Sequence, residues 1–100
     1  MVTRVAGAHT TAHVFCVTLY PHFRDLIPGM RMPGDEATPE EFRAALTEAV
    51  EVCDGENVHL VPGEEILDDP AGLTADLIHP SDLGMSIMAR NLSDRIAQFV

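Results

Sequence analysis

The chain predicts an α/β fold with parallel strands, and three stretches carry that expectation. Val14-Phe15-Cys16-Val17-Thr18-Leu19 is a short, nearly continuous apolar run rich in β-branched residues, the pattern of a strand buried on both faces of a parallel sheet. Thr38-Pro39-Glu40-Glu41 is a helix start, with Thr38 as N-cap, Pro39 at the first helical position and Glu41 closing a capping box. Val58-His59-Leu60-Val61 is a second short apolar run. Strand, helix and strand in this order imply parallel pairing through a right-handed crossover.

Each element follows from its local sequence. In residues 1–13, Val2, Val5 and Ala6 fit the last turns of a helix, which Gly7 and the Thr10-Thr11 pair close before the first strand. His9 and His13 are four apart, the spacing of a metal pair on a helix face, but the threonines and the approaching strand disfavour a helix there. The strand runs into residues 20–25, a loop at its carboxyl end, where open α/β sheets place their sites. Tyr20, His22 and Arg24 are therefore candidates to line a substrate cleft; the plainer alternative is a surface loop with Phe23 and Leu26 tucked beneath it. Residues 28–36 hold two Pro-Gly turns and no periodicity, so they form a loop, whose Met30 and Met32 fill a gap or contact a pocket rim.

After the capping box, Phe42, Ala45, Leu46, Ala49, Val50 and Cys53 recur at helical spacing, with Glu40, Arg43, Glu48 and Glu51 outside the stripe. Such a helix covers a sheet. Gly55 is placed to supply the left-handed residue that ends it. His59 reads as a partly covered strand residue rather than a ligand. Residues 68–72 make an acidic turn that lacks the ligand spacing of a calcium loop. Met85, Met88, Leu92, Ile96 and Phe99 then form one apolar face of a final helix, with Arg90, Asp94 and Arg95 on the others.

Chemistry-capable side chains stand in a defined local order at one place, Asp76-Leu77-Ile78-His79-Pro80-Ser81-Asp82-Leu83-Gly84-Met85. Pro80 disfavours helix at His79 and suits the first turn of the helix that follows. On a sharp turn Asp76 and His79 project to the same side. The carboxylate then accepts from one imidazole nitrogen, fixes the tautomer and leaves the other nitrogen as a base. The alternative for the pair is a loop acid that caps the next helix and a solvent-facing imidazole.

This block, preceded by Gly63-Glu64-Glu65-Ile66-Leu67 and followed by an amphipathic helix to the chain end, resembles the C-terminal block of the SGNH, or GDSL-like, hydrolases, closely over residues 60–100 and loosely over the rest. The resemblance implies the C-terminal half of a three-layer α/β/α, flavodoxin-like domain across residues 1–100. It also implies that Asp76 and His79 are the acid and base of a Ser-His-Asp triad acting on acyl esters, carbohydrate O-acetyl groups among them. No cofactor and no metal are implied. Members of that family carry their nucleophile in a Gly-Asp-Ser block near the N-terminus, followed by a Gly and an Asn that serve the oxyanion, and this sequence contains none of these blocks. Its serines are Ser81, Ser86 and Ser93. Ser81 suits a helix cap and the other two fall in the helix, so the chain is expected to be inactive alone. The competing expectation is a non-enzymatic truncated module that dimerises or complements a separate N-terminal half, because the 14–19 strand leaves an open sheet edge.

Composition narrows the partners. One hundred residues make one small domain, and 46% hydrophobic with 22% charged residues is globular rather than disordered. A net charge of −10 argues against nucleic acid or an anionic membrane surface, which reward basic residues. The start of the chain lacks a signal-peptide layout and no apolar run reaches membrane-span length. Cys16 and Cys53 lie in apolar patterns with no paired motif, as small buried hydrophobes in a reducing compartment do, so a cytoplasmic location is expected.

Overall fold

A computed structural model describes residues 1–27, 29, 34 and 36–100. Helix α1 (Val2–Ala8), strand β1 (Val14–Val17), helix α2 (Pro39–Cys53), strand β2 (Val58–Val61), the single turn α3 (Gly63–Ile66) and helix α4 (Asp82–Ala97) follow in order. Two 3-10 turns, Phe23–Leu26 and Pro70–Gly72, lie in the connections. The mixed α/β architecture with parallel strands is as expected. β1 and β2 pair in parallel, with Val14 opposite Val58 and Val17 opposite Val61. Residues 28–36 fall largely outside the described residues, including Met30 and Met32.

The capping box forms as its sequence dictates. Thr38 accepts from the Glu41 amide at 3.2 Å, and the Glu41 carboxylate accepts from the Thr38 amide at 3.1 Å. Together these satisfy two of the amides a helix start leaves open. Three local expectations are corrected. The left-handed residue after α2 is Asp54 (φ 47°) rather than Gly55, a conformation that a short polar side chain tolerates. Pro80 bridges Leu73 instead of opening α4, whose N-cap is Ser81. The 14–19 strand stops at Val17, which is 39% exposed, so β1 is not buried on both faces along its length.

Helix faces differ as well. Phe42 and Met85 are exposed, whereas Arg43 lies on the inner side of α2 with Leu46, Thr47 and Val50. The two thiols are free and half-buried, and burial, with Cys53 nearby, raises the Cys16 pKa. Val2, Ala6, Val61, Ile66 and Leu67 are the buried apolar residues among those described. The molecule measures 41 × 30 × 16 Å, and its radius of gyration of 14.8 Å exceeds the roughly 13 Å usual for 100 residues. It is a thin slab with little interior.

Close backbone approach holds the slab together at two glycines. A methyl group on Gly63 would meet the Thr18 carbonyl oxygen at 2.3 Å, and one on Gly84 would meet the Gly72 carbonyl oxygen at 2.0 Å. The first contact seats α3 under the end of β1. The second seats the start of α4 against the Pro70–Gly72 turn, next to the Leu73–Pro80 bridge that closes the Asp76–His79 turn.

Candidate active site

The segment between Leu73 and Pro80 is a closed turn. The Thr74 amide donates to the His79 carbonyl at 2.8 Å, the Leu77 amide donates to the Thr74 carbonyl at 2.9 Å, and Leu73 bridges Pro80. This closure requires Leu77 to adopt the left-handed conformation (φ 58°), a cost of about 1 kcal/mol for a residue with a branched side chain. The loop after β1 offsets that cost: the Phe23 amide donates to the Leu77 carbonyl at 2.7 Å.

Inside the turn Asp76 is fully engaged. Its Oδ1 accepts from the Thr74 hydroxyl at 2.7 Å and from the Ile78 and His79 amides at 2.8 and 3.0 Å. Its Oδ2 lies 2.5 Å from His79 Nδ1. The imidazole contact and these donors hold the Asp76 carboxyl far below its ordinary pKa, so it is an anion throughout the neutral range. A carboxylate acceptor on Nδ1 selects the tautomer protonated there. Nε2 then carries the lone pair, and no described residue bonds it. The pair is open to solvent, with side chains 73% (His79) and 46% (Asp76) exposed.

The loop after β1 packs against this turn, and its residues hold structural positions there. Tyr20 donates its hydroxyl to the Ile78 carbonyl at 2.8 Å, so it braces the turn; burial, and then the Asp76 charge, raise its phenol pKa. His22 Nδ1 accepts from the Arg24 amide at 3.2 Å and caps the Phe23–Leu26 turn, with its ring edge-on to Tyr20. Arg24 lies within that turn. Residues that sequence reasoning passed over organise the loop. Arg43 reaches from α2 to donate to the Leu19 and Tyr20 carbonyls, both at 2.9 Å, and forms a two-pronged ion pair with Asp25. Asp25 also accepts from the His22 amide at 2.8 Å, and its pKa is lowered chiefly by the Arg43 bond.

A cavity of about 340 Å³ opens beside the turn, walled by the Phe23–Leu26 turn, by Leu67 and Leu73, and by Leu77 between the two candidate catalytic residues. His22 and Asp25 contribute to its lining; Tyr20, Arg24, Asp76 and His79 do not. Ser81 acts as a cap, its hydroxyl donating to the Gly72 carbonyl at 2.9 Å and accepting from the Gly84 amide at 3.1 Å. Both of its bonding directions are taken. Ser86 and Ser93 lie on the exposed surface of α4. No group of three or more potential metal ligands occurs among the described residues, and none of the helices they form is long and apolar enough to cross a membrane.

No family profile and no curated protein matches the sequence. Among solved structures the fold is similar to that of SsfX3, a salicylyl-acyltransferase from a tetracycline biosynthetic pathway, with a TM-score of 0.64 and 20% identity over 97% of this chain. The match spans 29% of that enzyme's length. At this identity the likeness concerns the backbone fold alone.

Proposed function

We propose that this chain forms the C-terminal part of an SGNH-type serine esterase, in which Asp76 and His79 are the acid and base of a triad whose serine lies outside these residues. The observation that carries the reading is the closed turn that fixes Asp76 on His79 Nδ1 and leaves Nε2 open to solvent. The salicylyl-acyltransferase with a similar fold favours the same class, since ester hydrolysis is acyl transfer to water. In this reading the full domain is a three-layer α/β/α sandwich, and the thin slab described above is one part of it.

In the proposed reaction His79 Nε2 takes the proton from a serine hydroxyl as its oxygen attacks the ester carbonyl. Nδ1–H stays on the imidazole and its bond to Asp76 stabilises the cation. The imidazolium then gives the proton to the departing alkoxide, and the acyl-serine is hydrolysed by a water activated in the same way. Without the serine and its oxyanion donors the triad contributes nothing, since removing a nucleophile costs on the order of a millionfold in turnover.

The test is the state of the His79 ring and the reactivity of the serines. ¹⁵N spectra at pH 8 should show His79 protonated at Nδ1, and a fluorophosphonate probe should label no serine. An Nε2-protonated ring, or labelling of Ser86, would sink the reading. A second reading, a non-enzymatic module that pairs with a copy of itself or with a separate N-terminal half, is favoured by the open strand edges and the exposed Val17 and Leu19. Size-exclusion chromatography tests its self-pairing form, because a compact monomer would contradict pairing with a second copy.

A further inference from the structure

The cavity beside the turn carries an inference about which esters would suit the site. Its walls are apolar, from Phe23, Leu26, Leu67, Leu73 and Leu77. Its volume of about 340 Å³ lies at the small end of ligand pockets, enough for an aromatic ring or a short alkyl chain with room to spare. The polar groups at its margin are mainly carboxylates. Glu64, Asp68 and Asp69 are exposed there, and Asp25 is already matched by Arg43. The same negative sign dominates the chain as a whole, at −10. An anion entering this opening meets repulsion, whereas an uncharged apolar group loses nothing to the rim and gains the walls.

The cavity is also tied to the dyad. Leu77, in the cavity wall, stands between Asp76 and His79 in sequence, and its carbonyl accepts from the amide of Phe23, another wall residue. A group seated in the cavity therefore lies against the turn that orients the base. We infer that this cavity is a specificity pocket for an uncharged aryl or short alkyl group of the ester, and that it rejects groups ending in a carboxylate. The ester assignment rests on the function proposed above; occupancy by a neutral apolar group does not.

Two probes of one shape and different charge separate these statements. Benzamide and benzoate are titrated into the full chain at pH 8 and 150 mM salt, followed by NMR shifts of the methyl groups of Leu67, Leu73 and Leu77. Benzamide should shift these methyls at millimolar concentration, with benzoate at least tenfold weaker. The triple variant Glu64→Gln, Asp68→Asn, Asp69→Asn should bring benzoate to within about threefold of benzamide. Leu73→Trp, which fills the cavity, should abolish both. Absence of shifts with benzamide overturns the pocket, and equal affinity of the two probes for the unaltered chain overturns the charge selection. Binding that survives while the His79 ring proves to be protonated at Nε2 would keep the pocket and remove the esterase.

Discussion

Two histidines of this chain sit in short polar contacts at different places in the molecule, and what faces each one separates a candidate catalytic pair from a structural one. His79 Nδ1 meets the Asp76 carboxylate at 2.5 Å in a turn closed by its own backbone. His59 Nε2 meets His13 Nδ1 at 2.9 Å, in a cluster with Phe15 and with Phe99, whose ring centre lies 3.9 Å from that of His59. The partner of His79 is an anion held by backbone amides, whereas the partner of His59 is a second imidazole beside two aromatic rings. A histidine in a polar contact is therefore no mark of chemistry; the charge and backbone support of its partner decide.

The largest effect should come from removing the platform beneath the first pair. Gly84→Ala drives a methyl group into the Gly72 carbonyl, a backbone atom that cannot swing aside. We expect a loss of about 3 kcal/mol, seen as a urea midpoint lowered by roughly 2 M, with the His13–His59 end melting in the same transition. Arg43→Met comes next. It removes four hydrogen bonds to the loop after β1 and leaves Asp25 without its cation. A loss of about 2 kcal/mol is expected, moderated because both side chains keep partial access to water. Hydrogen exchange should quicken at Phe23, whose amide holds Leu77, more than at Val58.

Asp76→Asn tests the chemistry rather than the fold. An amide keeps the Oδ1 bonds to Ile78 and His79, but its NH2 group then faces Nδ1 and moves the ring proton to Nε2. The tautomer should invert in ¹⁵N spectra. In an enzyme completed by its serine, turnover should fall by about 10⁴.

Where the fold was legible, the signal was local. The capping box at Thr38 and Glu41, the β2 run and the Asp76–His79 turn each depend on residues within a few positions of one another, so their spacing expresses their geometry. What escaped depends on distant pairs. Arg43 and Asp25 are 18 residues apart and His13 and His59 are 46 apart; no periodicity in either segment announces its partner. The charge of Arg43 sets it outside the α2 stripe in sequence, although its spacing from Leu46 and Val50 fits the inner face. An arginine on the covered side of a helix is a signal for a buried acid elsewhere. The rule that strand ends carry function puts Tyr20 and His22 near the site. Their roles, bracing Ile78 and capping a 3-10 turn, follow from hydrogen bonds that sequence cannot show.

Acid should take the two pairs apart in separate windows, and this is the smallest effect. Burial, and then the nearby His13, lower the His59 pKa below its ordinary 6.5. The unfolded chain therefore binds a proton more readily than the folded one, so the stability this site contributes is full above pH 6.5 and declines as the pH falls toward the folded value. Asp76 is lowered from 3.8, so the contribution of its pair is full above pH 4 and is lost only in much stronger acid. Between pH 7 and 5 the ring signals of Phe99 should move while the Ile78 amide stays protected. His59→Phe sharpens the contrast by keeping the aromatic stack and deleting the second charge. At pH 8 the loss of one exposed hydrogen bond should cost a few tenths of a kcal/mol, whereas at pH 5 the variant should be the more stable chain by a similar margin. Thermal melts at both pH values would show the crossing, and a variant less stable at both would mean that the imidazole pair contributes more as a hydrogen bond than it loses as a pair of charges.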